Sequence, residues 1–379
     1  MQQPTRISSF DQVLHDVVGS VMPVGDVIAL LTKHGCTDLT LCFDHSASSN
    51  YPVAHGGLGD VYRGRLVNGT LVAIKTIRAY ESTDNSGGIY QKRAAKEIYT
   101  WSKCEHPNIV GLLGLAVFRN SLAMISRWEE NGNLLCYLSR QPGADRCHLS
   151  KSICAGLAYL HEKKIIHGDL KGDNVLIGAD GTPMLMDFGN ASILDATLQF
   201  TRTQTGRAFS LRWTAPEILR GKTGHTTAAD IYALGMVRQF DHMEALTAKI
   251  PYPEKNDQVV LTTVLIKKKG PARPKKIIPE TSIYGNILWI NLRSCWSHNP
   301  KRRPGIKVVW DAAKKIIPET SIYGNILWAN LRSCWSHNPQ RRPGIKVVWD
   351  AMMHLTPEML QEIEDEAETD EDDMNEDED

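Results

Sequence analysis

The stretch HGDLKGDNVLI, residues 167–177, crowds acidic, basic and amide side chains together, and Asp187 follows Asn174 by 13 positions in MLMDFGN. A hard divalent cation such as Mg²⁺ prefers oxygen ligands, usually one or two carboxylates plus substrate phosphates. Asn174 and Asp187 can supply such oxygens, which leaves Asp169 free to orient a hydroxyl nucleophile and accept its proton. Lys171 can lie beside a transferring phosphoryl group and offset its charge. Each Asp or Asn alone is also an ordinary turn former; the ordered set indicates phosphoryl transfer.

A lysine and a glutamate form a second candidate pair. Lys75 ends the apolar run VAIK, and Glu97 lies 22 positions later in a helix predicted over 91–103. Taken singly, these residues fit a solvated strand end and an exposed helix carboxylate. Taken together, a lysine held by a carboxylate provides a fixed positive charge for phosphates in a nucleotide cleft.

Glycines between two predicted strands form a third candidate element. Gly56, Gly57 and Gly59 occur in HGGLG, and glycine lets backbone N–H groups approach phosphate oxygens closely. A bare turn is the alternative interpretation. A dinucleotide-binding fold is disfavoured because its glycine loop runs from a strand into a helix, whereas here a strand follows.

The elements that position these residues follow from local patterns. Residues 51–77 predict strands, with Asn68-Gly69 as a hairpin turn, and further strand-like runs occupy 109–118 and 122–126. After Asn133 the pattern is mostly helical. Strands followed by helices predict an α+β protein with a sheet-rich part ahead of a helical part.

Residues 1–50 predict a separate helical extension. Asp26 is placed to cap a helix that carries an apolar face, and Gly35 is placed to end it. We expect this extension to pack against the residues that follow, with partner binding as the alternative.

Composition narrows the class of protein. The net charge is zero, but the 13 acidic residues of Glu362–Asp379 leave 43 basic and 30 acidic residues in the rest of the chain. Such an acidic block predicts a solvated, disordered tail; shielding the basic body or recruiting a basic partner are the alternatives. The eight cysteines include no CxxC pair, which disfavours a disulfide framework or zinc site.

The chain shows no sign of secretion or membrane insertion. The N-terminus lacks the layout of a signal peptide, and the longest apolar run, Ile109–Phe118, is too short to cross a bilayer. We therefore expect a soluble, intracellular, cytoplasmic protein with no membrane span and no nucleic-acid partner.

A long tandem repeat occupies the C-terminal third. Residues 275–313 recur as 314–352, and 36 of the 39 positions are identical. Solenoids share this period but need about three copies to bury a core. Two near-identical copies indicate a recent duplication or a gene-model error.

The motifs together resemble a known family. VAHGGLGDVYRG, VAIK, HPNIVGLLG, HGDLKGDN, DFG, APE, ADIYALG and CW…RRP follow one another in this order. This set resembles the eukaryotic protein kinase family across about residues 51–353. The resemblance implies an α+β, two-lobed fold, with an N-terminal antiparallel sheet lobe carrying one main helix and a mainly helical C-terminal lobe.

The resemblance also implies a division into domains. We expect a helical extension at 1–50, a kinase domain at 51–353 and an acidic disordered tail at 354–379. Within the domain, the N-lobe spans about 51–128 and the C-lobe about 129–353, including the duplicated segment.

Site residues carry over from the resemblance position by position. ATP and Mg²⁺ are the implied cofactors, with Asn174 and Asp187 as metal ligands. Asp169, Lys171, Lys75 and Glu97 are the implied catalytic residues. The implied ATP contacts are Val53, Gly56, Gly57, Gly59, Val61, Ala73, Lys75, Ser126, Arg127 and Glu129. The internal hydrophobic spine of the family corresponds to Trp101, Leu112, His167 and Phe188.

The type of kinase follows from two positions. Lys171 in the catalytic loop and Ser210 in SLRWTAPE resemble the serine/threonine type, close to the tyrosine-kinase-like group, and the chain looks most like cytosolic kinases of filamentous fungi. We expect an ATP-dependent kinase of signalling pathways that phosphorylates Ser/Thr hydroxyls of protein substrates. The alternative is a pseudokinase or scaffold that binds nucleotide or partners with little turnover.

The chain departs from the family pattern at several positions. Gly168 stands where many kinases have an arginine that binds a phosphorylated activation loop, so we expect activity without phosphate on Thr201, Thr203 or Thr205. Replacing all three threonines by alanine tests this, and loss of activity in a folded variant would contradict it. Ala54 replaces the first loop glycine, at a modest expected cost.

Two further departures concern the C-lobe. VRQFDHM adds about four residues to the central helix, shifting it by about 6 Å and bringing charges into a buried element, so we expect a break or bulge. The duplication offers both Arg303 and Arg342 to Glu217. We expect the first copy to dock because its connection keeps the usual length.

Overall fold

The structure is a computed structural model. Its first large element is an antiparallel sheet of five strands. The structure describes residues 16–19, 22–55, 59–77, 87–141, 143–193, 198–200, 210–238, 250–271, 273 and 283–315. Contacts divide the chain into units of residues 1–313 and 314–379, and in the second unit the description covers only residues 314 and 315.

The elements of the first unit are short strands and helices, the last helix ending just beyond the unit boundary. The strands are β1 (Val17–Val18), β2 (Ala54–His55), β3 (Gly59–Arg65), β4 (Leu71–Ile77), β5 (Leu112–Phe118), β6 (Ser121–Arg127), β7 (Ile165–Ile166), β8 (Val175–Ile177), β9 (Pro183–Leu185), β10 (Ser192–Ile193) and β11 (Gln199–Phe200). The α-helices are α1 (Val24–Lys33), α2 (Gly87–Trp101), α3 (Leu134–Arg140), α4 (Arg146–Glu162), α5 (Pro216–Leu219), α6 (Thr227–Arg238), α7 (Asp257–Leu261), α8 (Ile283–Cys295) and α9 (Ile306–Lys315). A π-helix (Thr262–Ile266) continues α7, and 3₁₀ turns lie at Thr40–Cys42, His45–Ala47, Gly172–Asn174, Phe188–Asn190 and Pro300–Arg302.

The large sheet has the strand order β2-β3-β4-β6-β5, and every neighbouring pair is antiparallel. The Asn68-Gly69 hairpin is confirmed: the Asn68 carboxamide accepts a hydrogen bond from the Thr70 backbone N–H, and Gly69 has φ +86°. Residues alternate along β4, where Val72 and Ile74 are fully buried in a small cluster with Phe43 on one face. Lys75, the residue after Ile74, points to the opposite face because successive side chains of a strand alternate between its two faces.

The helical part supplies the larger hydrophobic core. Helix α6 contributes Tyr232, Leu234 and Met236, each at most 2% exposed, and packs against α8 and α4. Helix α2 crosses the sheet and joins the same core through Ala95 and Ile98. The fold is therefore α+β with a sheet lobe ahead of a helical lobe, as the sequence predicts.

Several element boundaries differ from the sequence predictions. Helix α2 begins at Gly87, four residues earlier than predicted. The prediction missed this first turn because it starts with two glycines, which have low helix propensity. Helix α1 begins at Val24 with Pro23 at the N-cap, so the prediction of Asp26 as the cap is wrong; Asp26 lies in the first turn. Proline fits there because its missing N–H donor is not needed.

Some predictions lie outside the described residues. Helix α6 continues to Arg238, and the rest of the expected insertion, like Gly56 and Gly57, falls in parts that the structure does not describe. The second repeat copy beyond Lys315 and the acidic tail also lie outside them. Among the described residues, no helix has both the length and the apolar character that crossing a lipid bilayer requires.

Candidate active site

Three charged side chains from three separate elements meet at one point. The Lys75 ammonium donates to Glu97 Oε1 and to Asp187 Oδ1, each at 2.7 Å. Strand β4 carries Lys75, α2 carries Glu97, and Asp187 precedes the turn Phe188–Asn190. The sequence pair of lysine and glutamate is thus in direct contact, and one carboxylate of the expected metal site joins it.

The triad is largely buried: the Glu97 side chain is only 3% exposed and that of Lys75 16%. Burial opposes the charge on Lys75, but the carboxylates of Asp187 and Glu97 outweigh it and raise the pKa of Lys75. Burial also raises the pKa of Asp187, yet the Lys75 charge and hydrogen bond prevail and lower it to about 2. The pKa of Glu97 is raised, because burial and the neighbouring Asp187 carboxylate exceed the effect of Lys75.

A second cluster lies in the loop between β7 and β8. The Lys171 ammonium donates to Asp169 Oδ2 at 3.0 Å and to Ser210 Oγ at 2.9 Å. The Asn174 amide nitrogen donates to the Asp169 carbonyl at 2.8 Å and to its Oδ2 at 3.2 Å. Asp169 is therefore held from two sides, and one oxygen of its carboxylate, Oδ1, has no hydrogen bond to a described residue. That oxygen is available to a substrate hydroxyl.

Asp230, near the start of α6, anchors the loop between β7 and β8 through its carboxylate. Its carboxylate accepts from the backbone N–H groups of His167 and Gly168, both at 2.9 Å. The same carboxylate contacts His161 Nε2 at 2.9 Å, and it is 2% exposed. Asp230 thus has three partners, which fix the backbone immediately before Asp169.

The two clusters are joined through backbone and ring contacts. The Met186 N–H donates to the Asn174 carbonyl at 2.9 Å, and the Met186 carbonyl lies 3.0 Å from His167 Nε2. The Phe188 ring lies 5.9 Å from that of Trp101 and 5.7 Å from that of His167, measured between centroids. Leu112 packs against the hydrophobic core that contains Trp101 and Phe188, and His167 is fully buried.

The donor set fits a magnesium ion. The described hydrogen bonds of Asn174 use its amide nitrogen, and those of Asp187 end on Oδ1, which leaves an amide oxygen and a carboxylate oxygen for a metal. Mg²⁺ is typically bound by one or two such oxygens with phosphates and waters completing the shell. No cluster of three or more His, Cys, Asp or Glu that could hold a metal occurs in the described part of the chain.

The expected ATP contacts lie along the sheet. The Val53 N–H donates to the Val61 carbonyl, Val61 pairs with Lys75, and Ala73 pairs with the buried Ser126. Arg127 and Glu129 follow Ser126; burial raises the pKa of Glu129. Gly59 opens β3, and the two glycines before it lie outside the described residues. The roles of these residues stay predictions.

A match to a family is consistent with this geometry. A sequence model described as the protein kinase domain matches residues 50–314. The chain belongs to the protein kinase family. The match ends at residue 314, where the second copy of the duplicated segment begins. The predicted domain boundaries stay predictions.

Three curated kinases with similar sequences differ in the acceptor residue that their names state. Serine/threonine-protein kinase STY46 of Arabidopsis thaliana is 28% identical over 263 residues, 68% of this chain and 42% of STY46. Tyrosine-protein kinase SPK-1 of Girardia tigrina is 29% identical over 269 residues, 68% of this chain and 50% of SPK-1. Serine/threonine/tyrosine-protein kinase HT1 of Arabidopsis thaliana is 27% identical over 256 residues, 66% of this chain and 61% of HT1.

The relatives support the tyrosine-kinase-like grouping, through STY46 and HT1, and leave the acceptor residue open. The kinase spans about half the length of the curated relatives it matches.

Sequence reasoning missed one positioning residue of the C-lobe. Arg212 donates to the carbonyls of Pro251, Tyr252 and Lys255 and to the Asp257 carboxylate, over distances of 2.7–2.9 Å. These bonds tie the segment that carries Ser210 to the start of α7. The residue types give no signal for this, because most of the acceptors are backbone carbonyls.

Proposed function

We propose that this kinase transfers the γ-phosphoryl group of ATP to serine and threonine hydroxyls of protein substrates, with Mg²⁺ as the metal cofactor. The observation that carries the proposal is the bridge made by Lys171, whose ammonium contacts both Asp169 Oδ2 and Ser210 Oγ. This bridge places a cation beside the acceptor of the substrate proton. It also uses the serine that the family resemblance associates with the serine/threonine type.

The transfer step assigns one role to each residue of the loop. Asp169 accepts the proton of the substrate hydroxyl, whose oxygen then attacks the γ-phosphorus. The bond between that phosphorus and the bridging oxygen breaks, and ADP leaves. Lys171 offsets the negative charge on the transferring group.

The triad around Lys75 positions the nucleotide. Glu97 holds the Lys75 ammonium, which serves the phosphates as a fixed cation. Asn174 and Asp187 would hold Mg²⁺ through the oxygens that their described hydrogen bonds leave open. When bound, the ion offsets charge on the β- and γ-phosphates.

Acceptor choice is tested with degenerate peptide libraries that differ only in the acceptor residue. Purified full-length protein is incubated with radiolabelled ATP and Mg²⁺ and with peptides that offer serine, threonine or tyrosine. We expect label on serine and threonine peptides and none with the Asp169→Asn variant. Label on tyrosine alone would overturn the serine/threonine assignment, and label on all three would show dual specificity.

The same preparation separates an enzyme from a scaffold. Nucleotide binding is measured by calorimetry with ATP and Mg²⁺ for the parent and for Lys75→Met. Binding without any label transfer would favour the pseudokinase or scaffold alternative. Binding with transfer supports the enzyme.

A further inference from the structure

Helix α2 is held on two different faces. Glu97 contacts Lys75 in the active site, and Tyr99 lies two residues further along the helix. At about 100° per residue, two positions correspond to about 200°, so the two side chains leave the helix in nearly opposite directions. Tyr99 is nevertheless only 3% exposed, because other parts of the chain cover it.

One cover is the N-terminal arm, which we define as residues 16–19 and 22–36. Val27 and Leu31 of α1 are fully buried, and α1 packs against α2. Gln91 in α2 donates from Nε2 to the Met22 carbonyl at 3.0 Å, and Lys103, just after α2, donates to the His34 carbonyl at 2.8 Å. The arm therefore contacts α2 near its start and again just beyond its end.

The arm also contacts the segment that follows the DFG sequence. Strands β1 and β11 pair in parallel, with Val17 opposite Gln199 and Val18 opposite Phe200. Val18 is fully buried, whereas Val17 is 45% exposed. Asp16 then links this strand to the end of α1, because its carboxylate contacts Lys33 Nζ at 2.8 Å and His34 Nε2 at 3.0 Å.

Tyr99 is where the arm, α2 and β11 meet. Its ring packs edge-on against His34, with centroids 5.8 Å apart, and lies 6.1 Å from the ring of Phe200. Its hydroxyl accepts from the backbone N–H of Leu198 at 3.3 Å. Leu198 is fully buried. One side chain of α2 thus touches both the N-terminal arm and the segment around β11.

We propose that Tyr99 is a positioning residue for the kinase reaction, through which the N-terminal arm and β11 hold α2 so that Glu97 reaches Lys75. The proposal rests on the proposed function, because it gives the arm a role in phosphoryl transfer.

The principal test compares Val18→Asp with Val17→Asp in the full-length chain. Val18→Asp places an unpaired charge in a fully buried position and so releases β1, whereas Val17→Asp introduces the same residue at the exposed neighbour. We expect kcat of Val18→Asp to fall about ten- to hundredfold, as misplacement of a remote positioning element does. We expect Val17→Asp to stay within about twofold of the parent.

A double-mutant cycle distinguishes positioning from general loss of structure. If the arm acts through Glu97, Val18→Asp has little further effect on kcat in a Glu97→Gln background. If the arm only supports the fold, the two losses multiply. Tyr99→Phe, which removes only the hydroxyl that Leu198 contacts, is expected to lower kcat by several-fold without unfolding the chain.

Hydrogen exchange gives a readout that needs no activity. We expect backbone amides of α2 to exchange faster in Val18→Asp than in the parent, and at the parental rate in Val17→Asp. Equal exchange in the two variants, or equal kcat, would overturn the proposal. An inactive parent would overturn the proposed function instead, while the exchange comparison still decides whether the arm holds α2. If Val18→Asp unfolds globally, Tyr99→Phe decides, and unchanged exchange and kcat there count against the proposal.

Discussion

Arg303 and Glu217, 86 positions apart in the chain, form a two-point ion pair, with guanidinium–carboxylate distances of 2.6 and 2.7 Å. The Arg303 guanidinium also donates to the carbonyls of Ser297 and Ala228. Both charged residues are at most 7% exposed, so the ion pair replaces the hydration that each charge loses on burial. The first copy of the duplicated segment is thereby attached to α5, as the sequence hypothesis expects.

Breaking this pair is predicted to destabilise the domain strongly. Arg303→Ala leaves the Glu217 carboxylate buried without its partner, at a cost of about 3–5 kcal/mol in the free energy of unfolding. Arg342→Ala, the equivalent change in the second copy, is the matched control and is expected to have no effect. Urea unfolding of both variants measures this; a stable Arg303→Ala beside a destabilised Arg342→Ala would assign docking to the second copy.

Gly168 is predicted to resist even the smallest side chain. It has φ +79°, and a Cβ there would lie 2.8 Å from the Asn190 carbonyl oxygen. Gly221 has φ +67° but open space around it, so Gly221→Ala isolates the backbone cost of about 1–2 kcal/mol. We expect Gly168→Ala to cost about 1–3 kcal/mol more, because overpacking adds to that cost. If thermal or urea unfolding shows equal losses of stability in the two variants, the residues around Gly168 move to accommodate the added Cβ, which contradicts this prediction.

The Asp187 carboxylate is predicted to stabilise the fold in a pH-dependent way. Its pKa is about 2 in the folded chain, below the ordinary 3.8, because Lys75 outweighs burial. A lowered pKa means that its contribution is complete above pH 3.8 and is lost as the pH falls towards 2. At neutral pH we expect Asp187→Asn to lower the free energy of unfolding by on the order of 1–2 kcal/mol.

The measurement is urea unfolding of the parent and Asp187→Asn between pH 2 and pH 7. The difference between the two proteins is expected to shrink as the pH falls below about 4. Glu97 is present in both proteins, so the part of its raised pKa that comes from burial cancels in the comparison, whereas the part that comes from the Asp187 carboxylate does not. A difference that is constant over the whole range would contradict the role given to Lys75.

Ser210 is predicted to support catalysis through its hydroxyl. Lys171 donates to Ser210 Oγ at 2.9 Å, and a hydrogen bond to a charged group contributes enough that its loss lowers kcat roughly ten- to hundredfold. Ser210→Thr keeps the hydroxyl and is expected to retain most of the activity, whereas Ser210→Ala is not. Steady-state kinetics with a peptide substrate gives both values. An Ser210→Ala enzyme with parental kcat would remove Ser210 from the site.

The sequence predicts which residues of the two candidate-site clusters lie together, because these residues stand in motifs of fixed order. Residue type and spacing predict the pairing of Lys75 with Glu97, and the structure places Lys75 Nζ 2.7 Å from Glu97 Oε1. The Asn68-Gly69 hairpin follows from local chemistry, since few residue pairs favour that turn. These features depend on residues close in sequence or on a family pattern.

Other features depend on contacts that leave no local pattern. Strands β1 and β11 have two residues each, too few to show alternation, and the paired residues Val17 and Gln199 lie 182 positions apart in the sequence. Arg212 binds carbonyl groups, which every residue carries. The N-cap of α1 also leaves no such pattern, because Pro23 occupies it without making a side-chain hydrogen bond.

The central claim is that Asp169, Lys171 and the Lys75 triad act together in phosphoryl transfer from ATP. Its most direct test is the rate of radiolabel transfer from ATP to a serine or threonine peptide by the parent and by Asp169→Asn, in parallel with Mg²⁺ and with excess chelator. The account predicts transfer by the parent with Mg²⁺, a loss of about 10²–10⁴-fold in Asp169→Asn, and none with chelator. Equal transfer by the parent and Asp169→Asn, or no transfer by a folded parent that binds ATP, would contradict it.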